Sequence, residues 1–269
     1  IALYSPVVWF AGRTMSESIS TALLVWGLER IDADESVSSF WGGMLLGLAE
    51  VARYGSAAII APALLVLLVQ RRWRTLELVV AGGAGVALLL GAFDKYTWGT
   101  WFHSLRAYID FNVLSGQAAR QFGSNPWHMY LPLLSVVAPF SIVGLWKQIW
   151  HGDRRSTLFI VSAVFYIAAI SLTPHKEARF LYPALVLLAV AGVPSFVEWA
   201  TTSRLRWVAA LVVALGAIPF FVKTAFDVER KAQFQLTIRA SRGATGFILM
   251  NEGLWGSGGY FYLGKNIPW

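Results

Sequence analysis

Eight stretches of this 269-residue chain run free or nearly free of charge: 14–28, 36–49, 54–69, 78–93, 127–146, 156–173, 180–197 and 207–222. A helix crossing a bilayer needs roughly 20 largely apolar residues, and shorter ones are tolerated inside a bundle. In lipid every backbone polar group must be satisfied within the chain, which leaves helices as the natural form for such runs. The expected fold is therefore an all-α polytopic membrane protein, a bundle of about eight spans. Composition agrees: 57% of residues are hydrophobic and 14% charged, more apolar surface than a soluble domain of this size hides. The absence of cysteine excludes disulfides and thiolate metal sites.

Lys and Arg mark the cytoplasmic ends of membrane helices. Arg71, Arg72 and Arg74 form one cluster, Lys147, Arg154 and Arg155 a second, and Arg204 with Arg206 a third. Counting spans puts all three on one side. The runs 36–49 and 54–69 read as the arms of a hairpin turning at Arg53-Tyr54-Gly55 or as one long bent helix; the hairpin, the favoured reading, sets the side of Arg13 and Arg53 but not that of the three clusters. The opposite, external or lumenal, face then receives Arg13, Arg53, the long loop 94–126, the short loop 173–179 and the tail from 223. The formal charge of +7 is explained by this topology, so a nucleic-acid partner is not expected.

Two features of the external face exceed what an aromatic belt requires. The loop 94–126 is longer than loops without a task tend to be, and it holds Asp94, Trp98 and Asn112, with Trp127, His128 and Tyr130 at its close. Its stretch from Trp101 to Leu114 suits a short interfacial helix. The loop Thr173-Pro174-His175-Lys176-Glu177-Ala178-Arg179-Phe180 puts cations on the disfavoured side. It reads either as a solvated turn with snorkelling side chains or, as preferred here, as an anion site at the bilayer surface. At the start of the chain, Thr14 and Glu17 have capping-box spacing, which accounts for the polar residues there as well as a site role does. The tail 223–269 combines an amphipathic segment with a strand-like Gly246-Phe247-Ile248-Leu249-Met250, and reads as the start of an external α/β domain after a membrane domain of residues 1–222. Beginning at Ile1 and ending in an apolar stretch at Trp269, the sequence reads as an internal fragment. Its four scattered histidines make no helix-spaced metal pair.

Four stretches in order give the chain a family resemblance: Arg13-Thr14-Met15-Ser16-Glu17-Ser18; Tyr96-Thr97-Trp98-Gly99-Thr100-Trp101 with Phe111-Asn112-Val113-Leu114; Gly123-Ser124-Asn125-Pro126-Trp127-His128-Met129-Tyr130; and His175-Lys176-Glu177-Ala178-Arg179-Phe180. The sequence resembles glycosyltransferase family 22, the Alg-type and GPI mannosyltransferases of the GT-C superfamily. The resemblance implies a GT-C helix bundle that transfers a hexose, expected to be mannose, with inversion and without a metal or other cofactor. The donor would be a polyprenyl- or dolichyl-phosphate sugar, and the acceptor a glycan or glycolipid. The family's acidic catalytic residue lies in a first external loop, expected upstream of Ile1; Asp94 is a weaker candidate within the chain. Met129 replaces a usual Trp. Asn251-Glu252 stand where eukaryotic GPI enzymes favour Pro-Cys-His, which weighs against a GPI precursor as acceptor.

On this reading His175, Lys176 and Arg179 bind the donor phosphate, with Arg13 or Arg53 in addition. Glu177 orients a cation, and Trp127, His128, Tyr130, Trp98 and Asn112 support the sugar or acceptor side. The competing classes are a membrane transporter or lipid flippase and a non-catalytic subunit of a glycan-assembly complex. Composition points to a bacterial plasma membrane ahead of the endoplasmic reticulum.

Overall fold

A computed structural model of the chain describes residues 15–131 and 154–202, with isolated positions at 145–146, 150 and beyond 203. Among these residues the regular structure is entirely helical: α1 (Ser16–Asp32), α2 (Ser36–Ala52), α3 (Ala57–Val69), α4 (Trp73–Trp98), α5 (His103–Ile109), α6 (Gln117–Phe122), α7 (Arg154–Leu172) and α8 (Tyr182–Thr202), with single helical turns at Tyr54–Ser56, Asp110–Leu114, Trp127–Met129 and Ala178–Leu181. Six of the eight expected runs fall on α1–α4, α7 and α8. Most of 127–146 and 207–222, Arg13, and the tail read as an α/β domain lie outside the described residues. The chain divides into two compact units, 1–221 and 222–269.

Trp73–Trp98 and the helical stretch Ala178–Thr202 are long and apolar enough to cross a membrane. They are used differently. In α8 every residue from Tyr182 to Ala189 is buried, as in a helix at the centre of a bundle. In α4 only one stripe is buried, running Thr75, Val79, Gly82, Val86, Gly91 and Asp94, and Val80, Leu88, Leu89 and Phe93 face outward. An apolar helix with an apolar exposed face is at ease in lipid, where exposure carries no hydrophobic cost.

The chain reverses at Arg53–Ser56, since Arg53 meets the start of α1 and Arg72, just past α3, meets its end. The hairpin's arms separate, however: α2 packs on α1 and α4, and α3 packs mainly on α7. Glycines explain the first group. A Cβ on Gly43 would stand 2.1 Å from the Val79 carbonyl oxygen, and one on Gly82 would stand 2.2 Å from that of Phe40. The α2 and α4 backbones touch, the small-residue packing that helices use where lipid removes the hydrophobic drive to associate. Leu24, Leu28, Ile59, Leu67, Leu158 and Leu187 fill the core shared by α1, α3, α7 and α8.

Each end of the bundle has its own polar fastening. At the end expected to be cytoplasmic, Arg72 donates to the Ile31 carbonyl at 2.7 Å and to Asp34 at 2.8 Å, adding a close donor to a last-turn carbonyl of α1 that otherwise has the Asp34 N–H at 3.4 Å. Thr75 also donates to Asp34. The hydrogen bonds from Thr75 and Arg72, helped by the Arg72 charge, hold the Asp34 carboxyl below the usual aspartate range against a smaller opposing effect of burial.

At the other end, the loop expected over 94–126 begins only after α4 closes at Gly99, which takes φ 77°. The single interfacial helix expected over Trp101–Leu114 is α5 followed by a wider turn, Asp110–Leu114, and then α6. The reason for the tight corner into α5 is Asp94. Its carboxylate, 1% exposed, accepts the Ser104 N–H at 2.8 Å and the Ser104 hydroxyl at 2.7 Å, closing the first turn of α5.

Candidate functional site

The site grows from two loops that bind each other through their backbones. Asn125 N–H donates to the Pro174 carbonyl at 3.0 Å, and its side-chain amide donates to the Lys176 carbonyl at 3.1 Å. Lys176 returns the link: its ammonium donates to the Asn125 carbonyl at 3.0 Å and to the Thr173 carbonyl. Tyr130, buried at the start of the next segment, donates its hydroxyl to the Glu177 carbonyl at 3.2 Å. The segments 123–130 and 173–177 are thereby one unit.

That unit settles where the cations of the loop 173–179 point. Lys176 is 4% exposed and spends its donors on carbonyl groups. It ties loops rather than facing open space, because a buried ammonium needs acceptors all round. His175 lies with Nδ1 3.1 Å from the Gly123 carbonyl oxygen and Nε2 3.2 Å from Glu177 Oε1. Both partners are acceptors, a carbonyl on one side of the ring and a carboxylate on the other. Arg179 donates from Nη2 to Glu177 Oε1 at 2.8 Å, and its Nε lies 2.7 Å from Oε2. Burial pushes the Glu177 carboxyl up, but the hydrogen bonds and charges of Arg179 and His175 outweigh it and leave it below the usual glutamate range.

A third segment completes the cluster. Glu17, in the first turn of α1, is 2% exposed; its Oε1 accepts Arg53 Nη1 at 2.7 Å and lies 3.6 Å from Arg179 Nε. Of the two readings of Glu17, helix cap or site member, the contacts of its carboxylate favour the second; Thr14, the other half of the box, lies outside the described residues. The helix begins at Ser16 after Met15 without a side-chain cap, and the carboxylate turns to a guanidinium 36 residues further on. Both arginines also stand against the Phe180 ring, with guanidinium carbons 4.7 Å (Arg53) and 5.6 Å (Arg179) from its centroid. Arg53 Nε is buried without a hydrogen-bond partner among the described residues, a donor still in demand of an acceptor.

These groups surround a cavity of about 540 Å³ lined by Arg53, Tyr54, Tyr108, Asn112, Tyr166, His175, Glu177, Arg179 and Phe180, among others. Tyr54 and Tyr108 touch at 5.3 Å between ring centres and so bring α5 over one side. Asn112 donates to the Tyr108 carbonyl at 3.0 Å. Of the residues expected from sequence, the structure thus gathers Arg53, His175, Glu177, Arg179 and Asn112 around one space. It leaves others apart from it. Trp98 is exposed and stacks on His103 at 4.9 Å, and Trp127 and His128 are exposed against each other at 5.5 Å. Asp94 is committed to Ser104 and does not line the cavity, which argues against it as the base. Sequence reasoning left Glu17 open between a helix cap and a site role and did not assign it to the cluster. The available signal was a carboxylate at the external start of a span, opposite a lone Arg53 at another external turn.

Residues 1–239 match the model of the Alg9-like mannosyltransferase family. GPI mannosyltransferase 3 of Gibberella zeae is 30% identical over 42% of this chain and 20% of its own length. GPI mannosyltransferase 3 of Candida albicans is 28% identical over 74% of this chain and 41% of its own. GPI alpha-1,2-mannosyltransferase 3 of Homo sapiens is 26% identical, over 68% and 34%. The chain spans about a fifth to two fifths of the length of these curated relatives. No solved structure matches it. These relatives are eukaryotic, so the expectation of a bacterial membrane gains no support from them. The chain belongs to the Alg9-like mannosyltransferase family.

Proposed function

We propose that the chain is the donor-binding part of an integral membrane mannosyltransferase. It moves mannose, with inversion, from a polyprenyl- or dolichyl-phosphate carrier to a glycolipid or other glycan acceptor at the external or lumenal face of the membrane. The observation that carries this reading is the meeting of Arg53, from the turn after α2, with His175 and Arg179, from the loop before α8, on one cavity at the end of the bundle. Two guanidiniums and an imidazole meet there, and Arg53 retains an unpaired donor. A departing lipid phosphate develops negative charge on oxygens that such fixed donors stabilise, and the paired N–H groups of Arg fit phosphate geometry. The ring faces of Tyr54, Tyr108 and Phe180 suit the apolar side of a pyranose.

The carboxylates that reach the cluster, Glu17 and Glu177, are both held by arginine. The base that takes the acceptor proton is therefore assigned outside the described residues. The relatives named as GPI mannosyltransferases support a glycolipid acceptor of that kind, whereas Asn251-Glu252 argue for a different one. Incubating the purified whole protein with polyprenyl-phosphate mannose and a glycolipid acceptor tests the reading. Donor consumption with formation of a mannosylated acceptor is expected. Movement of the lipid across a vesicle membrane without donor consumption would show a flippase instead.

A further inference from the structure

Glu17 is the least exposed charged group of the cluster, and nothing in the transfer chemistry so far uses it. Its position is unusual: one carboxylate oxygen lies 2.7 Å from Arg53 Nη1 and 3.6 Å from Arg179 Nε. The two arginines come from different segments, one ending α2 and one preceding α8, and both lean on the same Phe180 ring. Two guanidiniums so close repel each other, and the repulsion grows where water is excluded. A buried negative charge between them removes that repulsion and fixes their directions.

Glu177 does not serve the same purpose. It touches Arg179 but has no ion pair with Arg53 among the described residues, and 38% of its side chain is exposed. Glu17 is 2% exposed, receives a further hydrogen bond from Ser16 Oγ at 3.2 Å, and rides on the first turn of α1, whose N-terminal dipole favours an anion. It is the buried partner and Glu177 the more exposed one.

We propose that Glu17 is a positioning residue: its buried carboxylate holds Arg53 and Arg179 side by side at the cavity wall, so that an arriving lipid phosphate meets two guanidiniums already in place. The inference rests on the reading that the cavity takes the donor's phosphate. Glu17 touches no reacting atom, so its loss is felt through the arginines and falls on donor rather than acceptor.

The test is steady-state transfer by the purified whole protein, with the donor KM and the acceptor KM measured separately, and with polyprenyl phosphate as a competing anion. Glu17→Gln keeps the shape and removes the charge; Glu17→Asp keeps the charge and shortens the reach. Expected is a donor KM raised about tenfold or more for Gln, the worth of one charge-assisted hydrogen bond, and by less for Asp. Inhibition by polyprenyl phosphate weakens in parallel, and the acceptor KM stays unchanged. If the Gln variant does not fold, the Asp variant carries the same donor-against-acceptor comparison. Equal changes in both KM values, or a fall in kcat alone, would overturn the proposal. Arg179→Ala separates the two levels. If it raises the donor KM and the Glu17 variants do not, only the role of Glu17 falls. If none of them touches the donor KM, the phosphate reading falls with it.

Discussion

The ammonium of Lys176 is buried against the Asn125 and Thr173 carbonyls, three residues before an arginine that faces the cavity. Replacing Lys176 by Met removes one of the links between the two loops and leaves both carbonyls short of a donor. A loss of about 1.5–3 kcal/mol in stability is expected, read from thermal unfolding in detergent, because hydrogen bonds from charged groups sit in that range. Glu177 gives a pH signature. Its carboxyl is held below the usual range in the folded protein, so its stabilisation is present above the pKa of a free glutamate and disappears as the pH falls through the folded value. Glu177→Gln should flatten the dependence of melting temperature on pH in that acidic window and leave neutral pH little altered in slope. From the sequence, the motif from His175 to Phe180 was legible as a functional loop because cations on that face need a reason. Which of its cations faces outward was not, since that depends on carbonyls supplied by Gly123 and Asn125.

At the scale of elements, the glycines of α2 and α4 separate what the sequence cannot. Gly82 and Gly85 sit on the same helix three residues apart, yet a Cβ on Gly82 would enter the Phe40 carbonyl at 2.2 Å while one on Gly85 meets nothing within 4 Å. Gly82→Ala or Gly43→Ala should cost about 1–3 kcal/mol or more by forcing the helices apart. Gly85→Ala should be neutral or stabilise by up to about 1 kcal/mol, the helix propensity difference. Melting of the three variants in one detergent checks both halves. The helices themselves were legible, because charge-free runs and turn residues mark their limits: α2 ends at Ala52 and α3 starts at Ala57, on either side of the expected break. Less legible was the corner after α4. Asp94 reads in sequence as a free acid and is in fact spent on Ser104, ten residues later.

For the whole molecule, the alternation of basic clusters and apolar runs separated the ends of the bundle correctly where both can be compared. Arg53 joins Glu17 and Arg179 at one end, and Arg72 joins Asp34 at the other. Pattern grouped Arg53 with the loop 173–179 on one face; what it did not reach was the place of Glu17 between them, because the three are far apart in the chain and meet only once α1, α2 and α8 are packed. That convergence is also where function is concentrated in the proposal, and it makes one measurement decisive. The purified whole protein and its Arg179→Ala variant are assayed for mannose transfer from polyprenyl-phosphate mannose over a range of donor concentrations, with folding of both confirmed. The expected result is transfer by the parent protein and a fall in kcat/KM for donor of about 100-fold or more in the variant, the scale of losing one preorganised donor to developing charge. Transfer by the variant with unchanged donor kcat/KM would contradict the assignment of this cavity to the donor phosphate.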